Sequence, residues 1–400
     1  MALAGAFFLA LMTVVDAFPL NYILYAVAAM FVLLILADIL FKRKRRFLRI
    51  TGILVACVFL LVYGLGSYYL GTTFAMFSRI GGNGSEEITA DEVDISKEAF
   101  NIYLTGIDQW NKEKGLDLER SDVNMIVTVS PQSKEILLTS IPRDTYIPLH
   151  RTGTMDKLTH TGIYGVDETI NSVQDWLGID LNYYVKMNFS AVRDVIDAMG
   201  GIDVYSPVAF SSSISNYSYI KGWNHLNGKA ALFFARERKS FEGKDDIRVE
   251  NQQRVVKAVI DKMTSSTTLL TKYGDILSAA GKSLETNMSS KEMQSLVRMQ
   301  LEDLGSWEIT NQKIKGDYDM DYVASMAATN MYQVYRPKKE SVDECLAAIK
   351  DTMNPTQEEI DARIKEKQRN TAMNFINHLL GRDEPDPEAG PENSNPESNN

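Results

Sequence analysis

The stretch FARERKSFEGKDDIRVENQQR, residues 234–254, sets Arg236, Arg238, Arg248 and Arg254 among Glu237, Asp245, Asp246 and Glu250. Guanidinium groups at that density suit phosphate oxygens, because each presents a planar fork of N–H donors. In an extended segment Arg236 and Arg238 project to one side, since the side-chain period is two. On a continuing helix they would diverge by about 200°. Convergence therefore requires the helix that starts near residue 228 to end near Ala235. Asp245 or Asp246 suits the N-cap of the next helix, where Arg248 and Gln252, four apart, share a face near the positive end. Taken alone, the stretch leaves two readings open. It is a pyrophosphate pocket, or it is a solvated helix face carrying pairs such as Glu250 with Arg254.

A second group is LTSIPRDTYIPL, residues 138–149. A buried strand ends at Pro142, and Arg143-Asp144 emerge beyond its C-terminal edge, where α/β sheets usually bind ligands. Asp108 in LTGIDQW and Asp122 in ERSDVNM stand near other strand ends, the latter preceded by Arg120. Carboxylates converging beside bound phosphates would hold a hard cation such as Mg²⁺. Singly, each is a common cap or turn residue, and Arg143-Asp144 alone is a common strand-end ion pair.

These side chains need a sheet to carry them. AFNIYLTGID (99–108), DVNMIVTVS (122–130), EILLTSI (135–141) and YYVKMNF (183–189) read as strands. VDETINSVQDWLG (166–178) is an amphipathic helix closing on Gly178, and SAVRDVIDAMGG (190–201) starts on a Ser cap and stops on a Gly pair. NGKAALFFA and IRVENQQRVVKAVIDKM (247–263) add two helices. The alternation implies the α/β class, a mixed sheet sandwiched by helices.

The 400 residues carry a formal charge of −10, unevenly spread. Residues 1–80 hold seven Lys or Arg against Asp16 and Asp38, hence +5, which leaves −15 for the rest. Such a balance disfavours nucleic acid as a partner. Residues 50–78 are uncharged for longer than the roughly 20 residues a membrane helix needs. Residues 21–37 form a second span, and 2–15 are apolar but short. The intervening KRKRR loop should face the cytoplasm, which delivers the chain after about residue 75 to the outside. The expected layout is a membrane anchor with two to three spans (1–78), a short stalk (79–97) and a mixed α/β domain (98–350). A helical extension (351–381) and a disordered acidic tail (382–400) complete it. Cys57 and Cys345 cannot plausibly pair, and four scattered His offer no zinc-ligand spacing.

Together the motifs closely resemble the LytR-CpsA-Psr family. They run GID…SDVNMIVTVSP…ILLTSIPRD…DKLTH…YYVKMNFSAVRDVIDAMGGIDV…LNGKAALFFARER…DDIRVENQQRVVKA over about residues 98–350. The resemblance implies a membrane-anchored phosphotransferase that moves a glycopolymer from a polyprenyl-pyrophosphate carrier to peptidoglycan muramic acid. It places Arg143, Arg236, Arg238, Asp245, Arg248 and Gln252 at the pyrophosphate, and Asp108 and Asp122 at a Mg²⁺ or Mn²⁺ ion. Catalysis would fall to Arg143, Asp122, Arg238 and Asp245, with Asp122 or Asp245 taking the hydroxyl proton. Lys157 and His160 match a less constant segment, and Asn251 stands where many members have Arg. An apolar groove for the isoprenoid tail would be lined by residues such as Val192, Val195, Ile196, Leu232 and Phe233, although for any one of them ordinary core packing is the commoner explanation. The implied partners are the lipid-linked glycan, peptidoglycan and membrane lipid, with the N-terminus cytoplasmic and the catalytic domain extracellular. The same residues would serve a polyprenyl-pyrophosphate hydrolase, and a non-catalytic envelope regulator or scaffold is the third reading.

Overall fold

The computed structural model describes residues 1–82, 93–107, 120–240, 245–265, 272–281, 283–326 and 329–358, with scattered positions at 268 and in 360–373. Asp108, most of the expected stalk and extension, and the 382–400 tail lie outside the described residues.

Three N-terminal helices come first: α1 (Ala2–Val15), α2 (Leu20–Lys42) and α3 (Arg46–Ile80). The strands β1 (Phe100–Ile107), β2 (Ser121–Ser130) and β3 (Glu135–Ser140) follow, then the small ladder β4 (Tyr146–Pro148) with β5 (Met155–Lys157). A one-turn α4 (Leu158–Thr161) leads to α5 (Val166–Leu177), β6 (Tyr183–Asn188) and α6 (Phe189–Ala198). Next come β7 (Ile202–Ser206), β8 (Phe210–Ser211), β9 (Ser218–Tyr219), β10 (Gly222–Leu226), α7 (Gly228–Arg236) and α8 (Asp245–Thr264). The remainder is α9 (Tyr273–Ala280), β11 (Leu284–Thr286), α10 (Ser290–Glu302), β12 (Glu308–Lys313), β13 (Gly316–Asp321), β14 (Tyr332–Pro337) and α11 (Lys339–Met353).

The central sheet has the order β11-β6-β1-β2-β3-β12. It is mixed: β1 runs parallel to β6 and β3 parallel to β12, while β2 is antiparallel to both its neighbours. Both faces are covered, as the near-continuous apolar strands require. On one face Tyr103, Ile126 and Leu137 pack on Ile170 and Val173 of α5 and on Cys345 and Ile349 of α11. On the other Met125, Val127 and Leu138 meet Val256 and Ile260 of α8 and Met293 and Leu296 of α10.

Local signals explain the helix ends. Gly178 closes α5 at φ 66°, a left-handed position that glycine takes without strain. The Asn227 side chain caps α7 by accepting from Ala230 N at 2.9 Å. Gly228 lets α7 approach α6, because a Cβ there would stand 2.1 Å from the Arg193 carbonyl oxygen.

A third core joins the anchor to the domain. Val195, Ile196, Ala231, Phe234, Ile276 and Leu277 pack with Leu70, Phe77 and Ile80 of α3. The candidate tail-groove residues Val195 and Ile196 are buried here, Val192 packs against them, and Phe233 lies against Tyr217 with the rings tilted by 33°. At about 1.5 Å per residue, the 35 residues of α3 reach about 52 Å, against a hydrocarbon core of about 30 Å. The C-terminal part of α3, from about Leu70 to Ile80, packs on the domain. Tyr69 accepts from Gly274 N at 2.9 Å, Ser290 Oγ donates to Phe77 O at 2.8 Å, and Gly82 N donates to Met288 O at 2.9 Å. At its described N-terminal end, the segment expected as a stalk is therefore continuous with α3 and held to the domain. Helices α2 and α3 are long and apolar enough to cross a membrane, and α1 is apolar but shorter.

Candidate functional site

The register brings five chain segments to one edge of the sheet. Ile107, ending β1, lies opposite Ser121 at the start of β2 and opposite Asn188 at the end of β6. Lys313, ending β12, lies opposite Ser140, ending β3. Asp122, the second residue of β2, stands at this edge, and the described part of β1 stops one residue before Asp108.

Arg143 arrives by a broken ladder. Ile141 N still donates to Asn124 O at 2.9 Å, but Pro142 has no N–H, and the chain turns with Thr145 N donating to Pro142 O. Arg143 Nη1 then donates to Asp122 Oδ1 at 2.8 Å, and its Nε stands 3.5 Å from Asp144 Oδ2. Asp144 Oδ1 in turn lies 3.3 Å from Lys157 Nζ. These four side chains are only 13–29% accessible, so salt screens them less than surface pairs. Beneath them Asn124 Oδ1 accepts from Tyr103 OH at 2.6 Å and from Ser121 Oγ, a buried polar column that fixes the start of β2.

The R-x-R segment is set by the residue between its arginines. Helix α7 ends at Arg236, one residue later than the sequence reading, and Glu237 turns extended at φ −68° and ψ 132°. Arg236 and Arg238 are exposed, while Glu237 is fully buried. Glu237 Oε1 accepts from the amides of Arg238, Lys239 and Ser240 at 3.0, 2.8 and 3.1 Å and from Ser213 Oγ at 2.8 Å. Its Oε2 accepts from Ser213 N at 2.6 Å. Burial would raise this carboxyl, but the bonds from Ser213 and Ser240 outweigh it and hold the group at about 2. The Arg236 guanidinium lies 4.9 Å from the Phe189 ring centroid, which keeps it beside the end of β6.

Arg248 sits in the first turns of α8 and is 9% accessible, and Gln252 is half-buried one turn on. Lys313 Nζ reaches Asp246 Oδ1 at 3.1 Å, which ties the start of α8 to the end of β12. Asp245 begins the helix, and its side chain lies outside the described residues. Arg254 pairs with Glu250 at 3.2 Å and donates to Asn251 Oδ1 at 2.9 Å, the helix-face role that the spacing suggests.

His160 supports the site from below. Its Nδ1 lies 2.8 Å from Asp156 Oδ1 and 2.9 Å from Ser325 Oγ. Both contacts fall on one nitrogen, so this is not a nucleophile relay, which needs Ser and Asp on opposite ring nitrogens. Burial pushes Asp156 up, but bonds from His160, Ser325 and the Lys157 amide bring it below the usual carboxylate range. Among the described residues no three His, Cys, Asp or Glu side chains form a metal cage.

Arg143 stands beside Asp122 at this edge, Arg236 lies beside the end of β6, and the start of α8, which carries Arg248, is tied to the end of β12. Sequence reasoning missed Glu237 as the residue that ties the R-x-R turn and Phe189 as the Arg236 platform. The position of Glu237, alternating between two outward arginines, was the available signal.

The family description LytR_cpsA_psr matches residues 69–351. The chain belongs to the LytR_cpsA_psr family. The match starts inside α3, so it includes the end of that helix that packs on the domain. A relative from Bacillus licheniformis, named polyisoprenyl-teichoic acid–peptidoglycan teichoic acid transferase TagU, is 29% identical over 318 residues, covering 78% of this chain and 98% of the relative. The TagU of Bacillus subtilis is 33% identical over 261 residues, covering 63% and 81%. The crystal structure of B. subtilis TagV aligns with a TM-score of 0.54 at 29% identity, over 65% of this chain and 99% of that one. A structure titled TagT bound to LIIa-WTA aligns at 0.52 and 25% identity, over 68% and 98%.

Proposed function

We propose that this LytR_cpsA_psr chain is a phosphotransferase that moves a glycopolymer from a polyprenyl-pyrophosphate carrier to a muramic acid hydroxyl of peptidoglycan. The observation that carries it is the arginine edge, with Arg143 oriented by Asp122 and the R-x-R turn tied by Glu237. The names of the TagU relatives support the choice of glycopolymer class and acceptor.

In this reading Arg143, Arg236, Arg238 and Arg248, with Gln252, bind the two phosphates. The acceptor oxygen attacks the phosphorus that carries the glycan, a new P–O bond forms, and the bond to the bridging oxygen breaks. Polyprenyl phosphate leaves, and the hydroxyl proton passes to Asp122 or Asp245. Positioned guanidinium charge is the main catalytic resource, since phosphoryl transfer needs little covalent help from protein. Carboxylate oxygens at this edge suit Mg²⁺, which takes one or two carboxylates and completes its shell with water and phosphate. Asp122, together with Asp108, would hold it, and its chemistry would be neutralisation of charge on the phosphate oxygens.

The anchor fits the same reading. With the Lys42–Arg46 loop in the cytoplasm, α2 and α3 cross the membrane and the domain stands outside, where carrier and wall meet.

The test is transfer by the full chain in detergent micelles, with a lipid-pyrophosphate glycan and peptidoglycan as acceptor. Acceptor-dependent glycan attachment is the expected result. Phosphate release without attachment would replace the transferase by a hydrolase, and neither product would leave a scaffold.

A further inference from the structure

Two cavities adjoin along the outer flank of α8, away from Arg248. One is about 410 Å³ and the other about 460 Å³, and they share Gln253, Arg254 and Asn311 as a common wall. The first reaches Lys313, and the second ends on Tyr205, Trp223 and Asp261. Glu250, Arg254, Lys257 and Asp261 follow one another at spacings of four, three and four on one helix face. They span about 17 Å of helix. Together the cavities form a single groove.

Three features point to the ligand class. Trp223 and Tyr205 face each other across the β7–β10 ladder with rings edge to face, centroids 5.5 Å apart. Trp223 Nε1 is buried and, among the described residues, has no hydrogen-bond partner. The Trp223 ring lines the second cavity while its Nε1 is shielded and unsatisfied, so a turn of the ring toward the groove would give that N–H a ligand acceptor. The rest of the wall is polar and charge-balanced. Arg254, Lys257, Lys313 and Lys315 are matched in number by Asp203, Glu250, Asp261 and Glu344. A polyanion would meet no net positive field there. A chain of amide-bearing sugars would, in contrast, find an aromatic wall for ring C–H faces and many donors and acceptors for its hydroxyls.

We infer that this groove binds the acceptor, a peptidoglycan glycan strand, and delivers one of its hydroxyls to the arginine edge. The inference rests on the transferase reading for its choice of strand. The placement suits it. Lys313 stands opposite Ser140, three residues before Arg143, and its ammonium meets Asp246 in the first turn of α8. A strand lying along α8 therefore reaches the edge beside the strand that carries Arg143.

The test titrates a hexasaccharide of alternating N-acetylglucosamine and N-acetylmuramic acid into the full chain in detergent micelles, by calorimetry. Trp223→Phe keeps an aromatic ring against Tyr205 and removes the N–H. Arg254→Gln shortens a side chain that also bonds Glu250 and Asn251, so thermal unfolding of each variant is measured beside its binding. Each is expected to weaken hexasaccharide binding about tenfold, the worth of one lost directional hydrogen bond. The acceptor KM should rise in parallel while the donor KM stays unchanged. Wild-type protein that fails to bind the hexasaccharide, or variants that bind it as tightly, would overturn the inference. So would variants that raise the donor KM in proportion to polymer length, because the groove would then hold the donor. Binding requires no turnover, so intact binding without transfer would sink the transferase reading and leave the groove standing.

Discussion

Glu237→Gln separates the site's scaffold from its chemistry, and its size follows from the geometry. The Glu237 carboxylate is fully buried and accepts five hydrogen bonds, three from the successive amides of Arg238, Lys239 and Ser240. A glutamine keeps one acceptor oxygen and turns an NH₂ toward donors. The carboxyl lies at about 2 rather than its ordinary 4.5, which corresponds to about 3 kcal/mol of folding stability at neutral pH. The sign is that of a depressed carboxyl. Its contribution is complete above about pH 4.5 and is lost as pH falls toward 2. Urea unfolding of the full chain in micelles at pH 7 should show the variant destabilised by about 3 kcal/mol, with the gap narrowing below pH 4.5. Hydrogen exchange at the amides of 238–240 should accelerate in step, and the donor KM should rise because the R-x-R turn loosens. A variant as stable as wild type at pH 7, with those amides still protected, would refute the account of how this turn is built.

Other consequences can be checked separately. Arg143→Lys keeps the charge but loses the planar fork that Asp122 orients, and kcat/KM for transfer should fall by about 10²-fold with folding intact. Chelation of divalent cations should abolish transfer and Mg²⁺ should restore it, with Asp122→Asn requiring more Mg²⁺ for half-maximal rate. Gly228→Ala forces a Cβ against the Arg193 carbonyl, so thermal unfolding should show a loss of about 2–3 kcal/mol.

Much of this architecture was legible because strand and helix periods, caps and Gly stops are local. The strands around Tyr103, Ile126 and Leu138, and the α5 stop at Gly178, stand where the patterns put them. What was not legible depends on distant partners. Ser190 looked like the cap of α6, yet Asn188 caps it, accepting from Ala191 N at 2.7 Å. Both residue types suit the position, and the choice fell to the one whose backbone is still extended as β6 ends, at φ −86° and ψ 163°. The Gly81-Gly82 pair reads as a linker, but the docking of Phe77 and Ile80 needs α9 and α10, which follow almost two hundred residues later. Glu237 looked like one more surface charge because Ser213, which completes its cradle, is distant in sequence. The arginines themselves could be located, but the placement of Arg143 beside Asp122 required the sheet order.

The central claim is that the arginine edge holds the carrier pyrophosphate during transfer. Its most direct test labels the glycan-side phosphate of a lipid-pyrophosphate donor with ³²P and follows the label in wild-type protein and Arg238→Ala. The account predicts label in a phosphodiester on peptidoglycan with the wild type and a large loss of that product with the variant. Label appearing as free phosphomonoester with the wild type, or full transfer by Arg238→Ala, would contradict it.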